Sequence, residues 1–214
     1  MSINPSTNLA RLLTNDRIRE VATRFGDSGY GMAQAAPHSG VAGLVVTRRR
    51  PAHFVALTED GRIDAVLSQG GKLAAALEKR GSMNVSNAQI GPCDGSVPLA
   101  PAVSMRTVDP NDVTIAMPAE DGEPAVSDAD REAWRKWRSS YNATIEAPPY
   151  TVIGTLLLLP SQDPFSLTER GSELFLAVFN PTVEFLGTTL TDIPRDSILV
   201  NRSHIRRVKA TMVS

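Results

Sequence analysis

Apolar residues in this chain come in short runs separated by glycine, proline and aspartate, and that punctuation limits what the chain can build. The longest run, Val152 to Leu159, is interrupted by Gly154 and Thr155. It falls far below the roughly 20 apolar residues that cross a bilayer as a helix, so it reads as a buried strand and no membrane span is expected. Hydrophobic residues at 42% and charged residues at 21% fit a folded globular chain rather than a disordered one. At 214 residues there is room for one or two domains.

Charge narrows the partners. Twenty-two Lys plus Arg against twenty-three Asp plus Glu give a net charge of −1, so no global field draws the chain to nucleic acid or to membranes. The single cysteine, Cys93, cannot form an internal disulfide, and no Cys/His cluster has zinc-ligand spacing. Met1 to Asn8 is polar, and Arg11, Asp16, Arg17 and Arg19 break the first apolar stretch, so the layout of a secretory signal is missing. The chain reads as cytoplasmic.

Periodicity divides it into four parts. Leu9, Leu12, Leu13 and Ile18 are spaced for one face of an amphipathic helix over about 9–24, followed by a Gly/Ser/Ala/Pro-rich linker to residue 40. Residues 41–118 read as a first small β module: strands at 41–49, 52–58, 63–67, 83–90, 97–108 and 112–117, a hairpin turn at Asp60-Gly61, and one short helix over 72–79. From residue 118 to 132 six acidic residues stand against one arginine, which marks a solvated linker and a boundary. Ser127 is the expected N-cap of a helix running to about Ala147, on which Trp134, Trp137 and Tyr141 would share one face. Pro148-Pro149 ends it, and 150–214 reads as a second β module with strands at 150–159, 173–179, 182–186, 196–201 and 205–212.

Four of six residues match between Leu77-Glu78-Lys79-Arg80-Gly81-Ser82 and Leu167-Thr168-Glu169-Arg170-Gly171-Ser172. The same offset lays Ile63–Leu67 over Ile153–Leu157 and, slightly displaced, Asp112–Ile115 near Asp196–Leu199. The expected fold is therefore mainly β with a few helices (α+β): two tandem, duplicated β-barrel or β-sheet modules behind an N-terminal amphipathic helix.

The second half carries Gly154-Thr155-Leu156-Leu157-Leu158-Leu159-Pro160, Phe175-Leu176 and Ile198-Leu199-Val200-Asn201-Arg202. In these it resembles a family of small, poorly characterised prokaryotic β proteins, and more distantly the Sm-like and SH3-like small barrels. The resemblance implies a small barrel that assembles edge to edge, and no established activity. Asn201-Arg202-Ser203-His204 stands where the Sm pattern has a glycine, so no RNA-binding residues carry over.

No catalytic or cofactor motif is complete. Gly26-Asp27-Ser28-Gly29 is similar to a serine-protease nucleophile segment, but only twenty-seven residues precede Ser28, too few to supply the His and Asp. Around Gly70-Gly71-Lys72, Val66 and Leu73 replace the first glycine and the magnesium-binding hydroxyl of a phosphate loop. His38, His53 and His204 are too far apart to share a metal, and the carboxylates of 120–130 lie in a polar linker where no pKa would be raised. Two basic clusters remain as anion-binding candidates: Arg48, Arg49 and Arg50, and Arg202, Arg206, Arg207 and Lys209. No aromatic residue is interleaved with either, which removes the stacking expected of a single-strand binder. The resulting expectation is a non-enzymatic structural or adaptor protein, without cofactor, that binds a protein partner or itself through Leu9, Leu12, Leu13, Ile18, Trp134, Trp137 and Tyr141 and through β edges. The alternative is an Sm-like nucleic-acid binder using the C-terminal cations.

Overall fold

Twelve strands form the fold of the described residues, and the central ones are apolar on both faces. The computed structural model describes residues 51–79, 81–119, 124–168, 173–193 and 196–213. The expected N-terminal helix with Leu9, Leu12, Leu13 and Ile18, and the cluster Arg48–Arg50, lie outside the described residues. The strands are β1 His53–Leu57, β2 Arg62–Leu67, β3 Met83–Gly91, β4 Ala100–Pro101, β5 Thr107–Val108, β6 Ile115–Pro118, β7 Ser139–Ala147, β8 Tyr150–Leu158, β9 Phe175–Phe185, β10 Thr188–Thr189, β11 Ser197–Asn201 and β12 Arg207–Met212. Among the described residues two α-helices, α1 Leu73–Leu77 and α2 Asp128–Trp137, and three 3₁₀ turns complete them.

The chain is mainly β, as expected, but the strands make one open antiparallel sheet rather than two tandem modules. Its order is β12-β7-β8-β9-β11-β6-β1-β2-β3-β4, with β10 on β9 and β5 on β3. The halves meet where β11 pairs with β6, Leu199 opposite Ala116 and Val200 opposite Ile115. β6 and β11, matched by the internal similarity, are thus neighbours. The order on either side of them is not that of two tandem copies: β1 separates β6 from β2, whereas β9 separates β11 from β8. An antiparallel strand can accept either neighbour, and hydrogen bonding alone does not choose between them.

Packing supplies the choice. Val55 and Leu57 of β1, Ile115 and Met117 of β6, and Ile198 and Val200 of β11 enter one core with Ile145, Tyr150 and Leu156. The alternate residues Phe54, Ala56, Ala116 and Leu199 enter a second core with Leu77, Met83 and Val113. Three strands therefore form a wall between two cores, which is why Phe54-Val55-Ala56-Leu57 and Ile198-Leu199-Val200 read as unbroken apolar runs instead of alternating ones. Truncating a fully buried member such as Ile115 or Leu156 would cost about 2–5 kcal/mol.

Gly154, the break in the longest apolar run, sits where the β8–β9 register shifts. A Cβ there would lie 2.6 Å from Val178 Cγ1 and 2.8 Å from the Phe179 carbonyl oxygen, so only glycine fits this close approach.

The helix that starts at Ser127 does not run to Ala147. Ser127 Oγ accepts from the Asp130 amide at 3.2 Å, the expected cap, but α2 ends at Trp137 and Ser139–Ala147 is strand. Ala143, Ile145 and Ala147 alternate with Asn142, Thr144 and Glu146, a period of two, and the β7–β8 hairpin pairs all nine residues of each strand. Once β8 offers that edge, the β-branched and polar residues of 139–146 gain more from the ladder than from continuing a helix.

Candidate functional site

The three aromatic residues expected on one helical face are divided among three environments. Trp134 packs edge-on against Phe179, with ring centroids 6.2 Å apart and planes at 81°, in a small cluster with Val126 and Leu157. The Arg138 guanidinium lies 4.2 Å over the other side of its ring and donates to the Leu157 carbonyl at 3.2 Å. Arg131 reaches over Phe179 at 5.2 Å, with Asp196 3.9 Å away. Trp134 is thus the anchor that holds α2, none of whose residues is fully buried, onto the outer face of β8 and β9.

Trp137 is 77% exposed. Tyr141 stands on β7 between Leu156 and Met212 and packs against the first core. The alternation in 141–147 was the signal against a shared helical face. Trp137 lies at the end of the sheet where β7 begins: Ser139 pairs with Leu158, and the Val213 amide donates to the Ser140 carbonyl at 2.9 Å. Leu159, Met212 and Val213 are exposed at that same end.

The C-terminal cations also separate. The Arg202 side chain is only 12% exposed and lies 3.6 Å from Glu173, while its amide donates to the Leu174 carbonyl, so it is a structural residue and leaves the expected anion-binding cluster. Arg207 and Lys209 alternate on β12 and share one carboxylate oxygen of Glu146 at 3.8 and 3.6 Å. Arg206 is exposed and lines an open groove of about 440 Å³ with Glu59, Pro148, Ser203, His204 and Ile205. In it His204 Nε2 donates to the Asn111 carbonyl at 2.7 Å, and Nδ1 lies 3.3 Å from Thr114 Oγ1. The other described histidine, His53, meets Asp64 across the β1–β2 ladder. Among the described residues no group of three or more His, Cys, Asp or Glu is placed to hold a metal ion, and no helix is long and apolar enough to cross a membrane.

Two buried polar ties had no motif to announce them. Tyr150 Oη donates to the Thr58 carbonyl at 2.6 Å and lies 2.7 Å from Cys93 Sγ, joining β8 to the β1–β2 turn and to the segment after β3. Burial raises the Cys93 thiol and pushes the Tyr150 phenol far above the ordinary phenol range. Asn201, fully buried, donates to the Pro110 and Val113 carbonyls and accepts from the Ser203 amide and hydroxyl. Both groups are satisfied and dry, which suits them to holding strands together rather than to turnover.

Comparison of the chain with protein families, with characterised proteins and with solved structures finds no match.

Proposed function

We propose that this is a non-enzymatic structural or adaptor protein that assembles with protein partners, other copies of itself included, through the sheet end bearing Trp137. One observation carries the reading. α2 is fastened by Trp134 while Trp137, two residues before the sheet begins, leaves most of its ring in water beside exposed Leu159, Met212 and Val213. An exposed tryptophan at a sheet end that also exposes aliphatic residues is the kind of surface that anchors protein interfaces. The buried polar groups support the same reading, since Tyr150 and Asn201 spend their hydrogen bonds within the fold.

The test is the solution mass of the full chain, by sedimentation across concentration and salt, for wild type and Trp137→Ser. Concentration-dependent association that resists salt and is lost in Trp137→Ser supports the reading. A mass unaffected by this substitution counts against it.

A second reading, an Sm-like nucleic-acid binder, is favoured by exposed Arg206, Arg207 and Lys209 on one margin of the sheet. It requires RNA affinity that falls steeply with salt and with Arg206→Glu plus Arg207→Glu. RNA affinity unchanged in that double variant would dispose of it.

A further inference from the structure

The order of the sheet repeats once β6 is set beside β12 instead of beside β11. It runs β12-β7-β8-β9-β11 and then β6-β1-β2-β3, with β5 also on β3. In each half the last strand lies beside the first, the second and third follow, and the strand before last pairs with the third. The short strands β4 and β10 attach to β3 and β9 in the same way. Local details agree. The 3₁₀ turns before β6 and β12 are capped alike, Asp109 accepting from the Asn111 amide and Asn201 from the Ser203 amide. The Thr114 amide donates to the Leu57 carbonyl and the Arg206 amide to the Glu146 carbonyl, one residue before each ladder begins.

Within the chain the halves join where β11 meets β6. Their counterparts, β5 and β12, have no strand on their other side among the described residues. The backbone directions of these two edges match those at the seam. The Val213 amide donates to the Ser140 carbonyl, which aims the backbone of Val208 away from β7, as that of Ala116 is aimed at β11. The Val85 amide donates to the Arg106 carbonyl, which aims Thr107 away from β3, as Leu199 is aimed at β6.

We infer that the seam recurs between molecules: β12 of one copy pairs antiparallel with β5 of the next, Val208 opposite Thr107 and Arg207 opposite Val108. This register is the one at the seam, where Ala116 faces Leu199 and Ile115 faces Val200, counted from the two caps. Charge selects it. At the seam the Asn201 amide donates to the Thr114 carbonyl at 2.9 Å, and the counterparts of that pair are exposed Asp109 and exposed Arg206, a carboxylate set beside a guanidinium. Two β12 edges would instead bring Arg207 and Lys209 of both copies together, which like charge disfavours. Because the two edges differ, the contact is head-to-tail and builds a ring or a chain of copies. It deepens the assembly reading above and rests on it.

The experiment is sedimentation velocity and thermal melting of the full chain for wild type, Thr107→Pro and Arg206→Glu. Proline at 107 removes only the amide that points away from β3, and Arg206→Glu sets two carboxylates together at the contact. Each should weaken association at least tenfold while moving the melting temperature by no more than about 2 °C. An equimolar mixture should form a dimer and stop, since Thr107→Pro keeps the β12 edge and Arg206→Glu keeps the β5 edge. Wild-type association persisting in either variant, or a mixture that stays monomeric, overturns this contact. If Trp137→Ser dissociates the protein and Thr107→Pro does not, the assembly reading survives without it; a wild type monomeric at every concentration overturns both.

Discussion

The side-chain amide of Asn201 donates to the carbonyl of Val113 at 2.9 Å, across 88 residues of sequence. The same nitrogen reaches the Pro110 carbonyl at 3.0 Å, and the amide oxygen accepts from Ser203. One side chain thereby closes the polar ends of the 3₁₀ turn at Pro110–Asp112 and of β11, at the seam where the halves of the sheet join.

Asn201→Ala would leave those carbonyls and the Ser203 groups without their partner in a dry site. Unsatisfied buried groups cost about 1–3 kcal/mol each, partly relieved by rearrangement, so a loss of about 3 kcal/mol is expected. Asn201→Asp should be at least as harmful, because a carboxylate cannot donate to two carbonyls. Urea denaturation of both variants checks this; a midpoint unchanged in Asn201→Ala would show that the network contributes little.

Tyr150→Phe keeps the ring packing on Phe185 but removes the phenol hydrogen bond, leaving the Thr58 carbonyl only the longer contact from Cys93 Sγ at 4.0 Å. The expected cost is about 1–2 kcal/mol. Cys93, 4% exposed, should also react slowly with a thiol reagent at neutral pH in wild type and no faster in the variant, which loses the Tyr150 hydrogen bond that lowers the thiol.

Alkaline pH should destabilise the fold through this same pair. Burial raises both groups above their ordinary values of 9.0 for the thiol and 10.0 for the phenol, so the folded chain retains protons that the unfolded chain releases. Stability is complete below pH 9 and falls as pH rises beyond it, more steeply once the phenol of the unfolded chain ionises. Denaturation midpoints measured from pH 8 to 10.5 should decline, and the decline above pH 10 should be shallower in Tyr150→Phe.

The two tryptophans should behave differently. Trp134→Ala removes the Phe179 contact and the surface under Arg138, a loss of about 2 kcal/mol for a half-buried ring, whereas Trp137→Ser should stay within about 0.5 kcal/mol of wild type. The emission remaining in Trp137→Ser should lie to the blue of that remaining in Trp134→Ala; equal spectra would contradict the environments described.

Glu146→Gln tests the basic margin. Exposed pairs are worth little, so stability should change by less than about 1 kcal/mol. Removing the carboxylate that Arg207 and Lys209 share should, however, strengthen any RNA binding and steepen its salt dependence. Unaltered RNA binding in Glu146→Gln would count against these cations as its site.

Much of the local structure was legible in the residues. The Asp60-Gly61 turn, the Ser127 cap, α1 near Leu73–Leu77 and the strands at 53–57, 62–67, 150–158 and 197–201 stand close to where pattern and punctuation put them. Errors arose where two periods competed. Trp134, Trp137 and Tyr141 satisfy a helical spacing while Ala143, Ile145 and Ala147 satisfy a strand spacing, and the β8 partner decided the boundary between them. Glu173–Phe179 and Thr182–Leu186 looked like two strands because Asn180-Pro181 interrupts them, yet β9 runs through with Asn180 at φ +48°. Of the candidate site, the exposure of Trp137 had no local signature, and neither did the polar ties of Asn201 and Tyr150.

Sequence alone determined what the pieces are: a cap, a turn or a period of two acts over a few residues, and its physics is complete within that window. Tertiary structure decided which pieces are neighbours. Every strand offers the same two rows of amides and carbonyls to any partner, so adjacency of β6 and β11, the double-sided burial of the central wall and the division of the aromatic residues between anchor, core and solvent follow from which side chains fill the two cores together.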